Sequence, residues 1–150
     1  MPEVCAAMGL TSLDAMDHFL SANIDNYHAY REGLRGVPGI RLLQYDEAEQ
    51  CNYQYVVLEA DETRTGLPRD ELRRILHSHN VLARRYFWPG CHRMEPYRSL
   101  YPNSHLWLPE TERISAAVLV LPTGATVTPA MASEISAIIR EAVGAARRAR

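Results

Sequence analysis

Apolar residues recur every three or four positions near the start of the chain, which is the spacing of one face of an α-helix. This stripe consists of Leu13, Met16, Leu20, Ile24, Tyr27, Tyr30 and Leu34. Thr11 with Asp14 three residues later is typical of a capping box, and Gly36 supplies a stop signal. The pattern predicts one long helix between Thr11 and Gly36, preceded by a separate helical fragment over residues 2–8 that ends at Gly9.

The next two segments are rich in β-branched and aromatic residues. Residues 40–45 and 53–59 share this composition and are separated by a polar stretch, so they predict a β-hairpin. A second helix is predicted from Pro68, which suits a first turn, to Asn80, which tolerates the left-handed conformation that ends a helix. Its inner face is expected to consist of Leu72, Ile75, Leu76 and His79.

Two further strands and two further helices are predicted in the second half of the chain. The strands cover residues 81–87 and 118–121, and the latter is fully apolar, as in a buried strand. A short helix over residues 109–116 precedes that strand. The stretch 88–108 is predicted to be irregular.

The last helix has a start signal and an end signal. Thr128 is a capping residue and Pro129 suits the first helical position. Its inner face is expected to consist of Met131, Ile135, Ile138, Ile139, Ala142 and Val143. It ends in Arg147, Arg148 and Arg150, whose charges suit the negative end of the helix dipole.

The predicted order of elements is α, β, β, α, β, α, β, α. This order is typical of a small α/β sandwich of the α+β kind, in which helices cover a mixed or mostly antiparallel sheet of about four strands. The length of 150 residues suits one domain of ordinary size. Residues 1–150 are therefore predicted to form a single domain.

Charge and apolar runs argue against two classes of partner. A formal net charge of -2 gives no broad attraction to nucleic acid. The longest apolar run, residues 114–122, is too short to span a bilayer, and the first ten residues do not resemble a signal peptide. The expectation is a cytoplasmic protein that binds neither nucleic acid nor membrane.

The three cysteines argue against a cross-linked or zinc-bound fold. Cys5, Cys51 and Cys91 are odd in number, widely spaced and form no Cys-x-x-Cys pair. They are predicted to be reduced thiols, and no metal site is expected. The neighbouring Cys91 and His92 do not change this, because two adjacent side chains rarely converge on one ion.

Residues 83–97 contain the highest density of side chains suited to binding or catalysis. They predict a strand followed by a loop that forms part of a functional site. Arg85 is the candidate ligand for a phosphate or carboxylate, because a guanidinium fork suits such groups; its neighbour Arg84 points to the opposite face of the strand. The alternative for Arg85 is a surface ion pair. Tyr86 and Trp88 are candidates for stacking on a sugar or base, with burial in the core as the alternative.

His92 is the foremost candidate for contact with a substrate or a neighbouring group, because it follows Pro89-Gly90 in a loop. The alternative is a loop histidine that is hydrogen-bonded to the backbone. Tyr97 belongs to the continuation of this loop, which is long enough to form part of a lid over a ligand.

All 16 basic residues are arginines, so the chain contains no lysine. A guanidinium stays protonated and is a poor nucleophile. Any reaction that requires a lysine amine must therefore obtain it from elsewhere.

Several segments, taken in order, resemble a known family. They are Met1-Pro2-Glu3 with Ala6-Ala7-x-Gly9-Leu10, the aromatic helix end over residues 27–34, the block Arg85-Tyr86-Phe87-x-Pro89-x-x-His92, Pro96-Tyr97, and Val118-Leu119-Val120-Leu121-Pro122-Thr123. This ordered set resembles the C-terminal small domain of the DegT/DnrJ/EryC1/StrS family of PLP-dependent nucleotide-sugar aminotransferases. The resemblance covers essentially the whole chain.

The resemblance implies a homodimeric aminotransferase of fold type I, in which a large PLP-binding domain precedes a small domain like this one. Such enzymes transfer an amino group, usually from glutamate, to a keto group of a nucleoside-diphosphate sugar. They hold PLP on a lysine as a Schiff base, while a carboxylate keeps the pyridine nitrogen protonated. In the family both groups lie upstream of the matched region, so this chain is expected to lack the catalytic residues, to bind no PLP covalently and to be inactive alone.

The family also has a histidine near the cofactor and substrate mouth, which His92 matches. With this histidine and the loop chemistry described above, the residues expected to lie near the substrate or cofactor are Arg85, Tyr86, Trp88, His92 and Tyr97. The form of the block over residues 85–92 resembles enzymes that aminate dTDP-linked 4-keto-6-deoxyhexoses.

The missing lysine leaves three explanations open: a fragment, a separately encoded half that assembles with a PLP domain, or a relic that only binds. The alternative function is a non-catalytic binding or assembly module that keeps the small-domain fold. In isolation the chain is expected to aggregate or dimerise, because its first helix and any face that packs on the absent domain leave apolar surface open.

Overall fold

A computed structural model describes residues 2–149, so Met1 and Arg150, which figure in the sequence analysis, lie outside the described residues. The helices are α1 (Glu3–Asp14), α2 (Met16–Gly33), α3 (Glu62–Thr65), α4 (Arg69–Ser78), α5 (Tyr97–Leu100), α6 (Ser104–Trp107), α7 (Pro109–Ala117) and α8 (Pro129–Arg148). The strands are β1 (Ile40–Leu42), β2 (Val56–Ala60), β3 (Arg84–Arg85) and β4 (Val118–Leu121), and a 3₁₀ turn covers Cys91–Arg93.

The four strands of the described chain form one antiparallel sheet in the order β1-β2-β4-β3. The apolar strands β2 and β4 lie at its centre, with Leu58 opposite Leu119, while β1 and β3 are short edge strands. Helices pack on this sheet, which confirms the predicted fold class.

The core lies between the sheet and helices α2, α4 and α8. Its fully buried members include Tyr30, Leu58, Leu72, Leu76, Leu119 and Ile139. Helices α2 and α8 approach closely because Gly33 has no side chain: a Cβ atom there would lie 2.5 Å from Cβ of Ser136. Each large apolar side chain buried in this way contributes about 1.5–3 kcal/mol.

The predicted signals of the later helices are confirmed in most respects. The Thr128 side chain accepts a hydrogen bond from the backbone N–H of Met131, with Pro129 in the first helical turn. Asn80 adopts the left-handed conformation after α4, with φ of 60°. The placement of His79 on the inner face of α4 is wrong, because α4 ends at Ser78 and the His79 side chain is exposed.

The predicted break at Gly9 and helix start at Thr11 are wrong. Helix α1 continues through Gly9, where nothing lies within 4 Å of a Cβ position, so no close approach requires a glycine. The Thr11 hydroxyl donates to the carbonyl oxygen of Ala7 at 3.0 Å, as hydroxyls inside helices do, and therefore does not cap. The break comes instead at Ala15, between α1 and α2.

Three of the four predicted strands are longer than the observed ones, whereas β4 has the predicted bounds. Strands β1 and β2 pair antiparallel, with Ile40 opposite Ala60, which confirms the hairpin. Tyr53 (φ 49°) and Phe87 (φ 45°) lie in the left-handed region, which extended strands exclude. The stretch 88–108, predicted to be irregular, contains the 3₁₀ turn and helices α5 and α6.

Candidate functional site

An open apolar cleft lies where the end of β3, the segment that follows it and helix α7 meet. Its volume is about 1160 Å³. The lining is mostly aromatic or apolar and includes Tyr86, Phe87, His92, Tyr97, Tyr101, Trp107 and Ile114. Concave sites with many aromatic walls and few polar groups are typical of small-molecule binding.

The aromatic walls of the cleft are unusually open to solvent. Phe87 is 76% exposed and Trp107 is 70% exposed. The positive φ of Phe87 turns the chain out of the sheet, so that its ring centroid lies 4.3 Å from that of Tyr86. Tyr86 in turn contacts Tyr55, with ring centroids 5.6 Å apart. The rings therefore form a continuous surface from the loop before β2 to the cleft.

His92 lies in the wall of this cleft and is held by a carboxylate from another element. Its side chain is only 7% exposed, and its Nε2 atom lies 2.5 Å from Oε1 of Glu112 on α7. Arg93 donates from Nε to Oε1 of Glu112 at 2.7 Å and from Nη2 to Oε2 at 2.5 Å. Hydrogen bonds from Arg93 and from His92 lower the pKa of Glu112 to about 2. The carboxylate is therefore ionised throughout the physiological range.

Arg85 and Trp88 form a second arrangement beside the cleft. Arg85 donates to both carboxylate oxygens of Asp70, and its Cζ atom lies 4.2 Å from the centroid of the Trp88 ring. The buried Arg69 lies on the other side of the same carboxylate, with Nε 2.8 Å from Oδ1. The hydrogen bond from Arg85 and the nearby charge of Arg69 lower the pKa of Asp70.

The structure thus divides the predicted site residues into two groups. Tyr86, His92 and Tyr97 line the cleft. Arg85 forms the ion pair that the sequence analysis held as its alternative, and Trp88 lines a smaller adjoining pocket of about 410 Å³. Trp88 is 52% exposed, which contradicts the alternative of a core residue. His92 is held by a carboxylate and not by the backbone of the loop.

Sequence reasoning missed Glu112 and Trp107. Glu112 was expected only as part of a short helix, and its partner His92 lies 20 residues away along the chain. Nothing in the local pattern indicates that pairing. Trp107 fell in the stretch predicted to be irregular, although a run of exposed aromatic residues such as Tyr97, Tyr101 and Trp107 is itself a signal of a binding surface.

Residues 2–149 include neither a cluster of metal-ligating side chains nor a membrane-spanning helix. No group of three or more His, Cys, Asp or Glu side chains in this part of the chain is placed to hold a metal ion. No helix within the same residues combines the length and the apolar character needed to cross a bilayer.

Comparison with known sequences gives one family. The model of the DegT/DnrJ/EryC1/StrS aminotransferase family matches residues 1–140. The dTDP-4-amino-4,6-dideoxy-D-glucose transaminase of Shigella dysenteriae is 32% identical over 143 residues, which are 94% of this chain and 38% of that enzyme. The enzyme of the same name from Escherichia coli is 32% identical over 122 residues, covering 81% of this chain and 33% of that enzyme.

Comparison with solved structures agrees. The structure of DesI in the presence of its TDP-sugar product is 41% identical, with a TM-score of 0.89, and the match covers 99% of this chain and 37% of DesI. The S. venezuelae DesV structure shares the fold at 23% identity, with a TM-score of 0.80 over 92% of this chain and 35% of DesV. The chain therefore spans little more than a third of the length of these relatives.

Proposed function

This chain belongs to the DegT/DnrJ/EryC1/StrS aminotransferase family, and from that premise we propose that it forms the small-domain wall of a sugar aminotransferase site. The complete enzyme transfers an amino group, from glutamate, to a keto group of a nucleoside-diphosphate deoxysugar such as a dTDP-4-keto-6-deoxyhexose. The names of the two transaminases and the TDP-sugar product of DesI support this substrate class. The open aromatic cleft is the observation within this chain that carries the proposal.

Pyridoxal phosphate supplies the electron sink in enzymes of this kind, and the residues of this chain do not fit it as a resident cofactor. The chain contains no lysine. Glu112, the carboxylate beside His92, is already paired with His92 and Arg93, so it is not free to bind a pyridine nitrogen. In the proposal the cofactor belongs to a separate large domain, and this chain binds and orients the substrate.

The cleft suits a deoxysugar better than a fully hydroxylated one. A deoxysugar presents a methyl or methylene group where other sugars carry a hydroxyl, and aromatic rings such as those of Tyr86, Tyr97 and Trp107 pack well on such apolar groups. His92 adds a polar contact to a mostly apolar wall. In the proposal the rings exclude water from the sugar, and His92 fixes its orientation.

The first helix supports association with another domain or a second copy of the chain. Helix α1 buries no residue, and an apolar series on α1 and the start of α2 is exposed: Val4, Met8, Leu10, Leu13, Met16 and Phe19. Apolar surface of this extent is typical of an interface. We assign this surface to contact with the cofactor domain within a homodimer. The thiols of Cys5, Cys51 and Cys91 are unpaired, as is usual in the cytoplasm, and we place the protein there.

A second candidate is a non-catalytic binding or assembly module. The absence of lysine favours it, because a module of this kind needs the fold and the cleft but not the catalytic amine. The two candidates differ in whether the chain supports turnover once a cofactor domain is supplied.

A chimera separates the candidates. The segment of the Escherichia coli transaminase that matches this chain is replaced by the 150-residue chain, and turnover of dTDP-4-keto-6-deoxy-D-glucose with glutamate is measured. We expect the chimera to transaminate and the chain alone to be inactive. A chimera that melts cooperatively and shows the absorbance of bound PLP, but does not turn over, would favour the module.

A further inference from the structure

Gly90 packs directly against the imidazole of His92. Gly90 is buried and has φ of +92°, a conformation that residues with a side chain rarely adopt. A Cβ atom on Gly90 would lie 2.7 Å from Cε1 and 2.9 Å from Nδ1 of His92. Any side chain at this position would therefore displace the ring.

The Nε2 atom of the ring is fixed by Glu112. A carboxylate only accepts hydrogen bonds, so Nε2 of His92, 2.5 Å from Oε1, carries a proton in both the neutral and the charged imidazole. Arg93 prevents the carboxylate from turning away, because it binds both oxygens. The nitrogen that carries no proton in the neutral ring is consequently Nδ1.

Nδ1 has no partner of its own in the described part of the chain. Within residues 2–149 the His92 ring makes its hydrogen bond through Nε2 alone, although nine-tenths of the side chain is buried. Both His92 and Gly90 line the cleft. A nitrogen that lies at such a wall without a protein partner is available to accept a hydrogen bond from a ligand in the cleft.

We propose that Glu112 and Gly90 are positioning residues for His92: Glu112 holds the ring in one tautomer and Gly90 leaves the space that the ring occupies, so that Nδ1 accepts a hydrogen bond from a hydroxyl group of the substrate. The identity of that hydroxyl as a sugar group rests on the proposed function. The tautomer and the position of the ring do not.

Imidazole ¹⁵N NMR of the 150-residue chain tests the tautomer, with the His92 signal assigned by its loss in His92→Gln. At pH values where the ring is neutral, we expect the proton on Nε2 and a bare Nδ1 in the wild type. Glu112→Ala should give a mixture of tautomers, whereas Glu71→Ala, which removes a surface partner of Arg74, should not. A wild-type proton on Nδ1, or an unchanged spectrum in Glu112→Ala, overturns the proposal.

Gly90→Ala displaces the ring without removing a charge, so it tests the position of His92 should Glu112→Ala fail to fold. In the chimera, both variants should raise KM for the keto sugar about tenfold, the effect of one hydrogen bond, with a smaller change in kcat. An active chimera whose KM is unchanged by either variant overturns the positioning role. An inactive chimera with the expected NMR spectrum overturns the proposed function alone.

Discussion

Arg85 and Asp70 form a bidentate ion pair, with Nε and Nη2 of the arginine 2.9 and 3.0 Å from the two carboxylate oxygens. The same guanidinium lies over the ring of Trp88. The pair therefore fixes an exposed tryptophan at the edge of the cleft and leaves Arg85 occupied. Arg85, a candidate ligand for a phosphate or carboxylate of the substrate, already binds the carboxylate of Asp70.

Asp70→Ala is expected to release Trp88 and also to lower stability. The exposed pair with Arg85 contributes at most about 1 kcal/mol. The variant also removes the carboxylate beside the buried Arg69, and leaving a buried charge without its partner costs more than breaking an exposed pair. The Trp107→Phe variant leaves Trp88 as the sole tryptophan of the chain. In this background, Asp70→Ala should move the tryptophan emission maximum to longer wavelength. Glu71→Ala serves as the control. An unchanged emission maximum would show that Trp88 is held by other contacts.

The low pKa of Glu112 predicts a specific loss of stability in acid. A carboxyl whose pKa is lowered on folding contributes stability that is complete above its ordinary value of 4.5 and is lost as the pH falls towards about 2. The free energy of unfolding of the wild type should therefore converge on that of Glu112→Gln between these two values. Curves that remain parallel over the same range would contradict the coupling to His92 and Arg93.

Leu76→Ala tests whether helix α4 packs on the core as the structure describes. Leu76 is fully buried between α4 and the rest of the core, and truncations of this kind cost about 2–5 kcal/mol. Leu82→Ala is the matched control, because Leu82 is 67% exposed and should change stability by no more than about 0.5 kcal/mol. Urea denaturation measures both. Equal effects of the two variants would mean that the packing of α4 differs from that described.

The fold was predictable where a strong local sequence signal agrees with the tertiary packing around it. Thr128-Pro129 begins α8, Asn80 ends α4, and the apolar run at β4 is the buried centre of the sheet. The prediction failed at Gly9, because a glycine signal inside a helix is weak when nothing around it requires the turn.

The sequence indicated a candidate loop but not the contacts of its residues. Three of the predicted site residues, Tyr86, His92 and Tyr97, line one cleft, and their contact with a substrate stays a prediction. The partners Glu112 of His92 and Asp70 of Arg85 lie 20 and 15 residues away along the chain. Such pairs depend on how α4 and α7 pack against the loop, which no local pattern encodes.

The absence of lysine predicts the outcome of adding the cofactor. When the 150-residue chain is incubated with PLP and reduced with borohydride, mass spectrometry should find an adduct at the N-terminal amine alone, since the chain offers no other primary amine. Blocking that amine should abolish the adduct. An adduct on an internal residue would show that this chain has a cofactor-binding nucleophile of another kind.

The chimera with the Escherichia coli transaminase tests most directly whether this cleft is the wall of the sugar site. Tyr97 lines the cleft, so Tyr97→Ala should lower kcat/KM for dTDP-4-keto-6-deoxy-D-glucose about two- to tenfold, the value of one lost aromatic contact. Leu82→Ala, outside the cleft, should leave kcat/KM unchanged. Equal kcat/KM values for the two variants and the unmodified chimera would contradict the account.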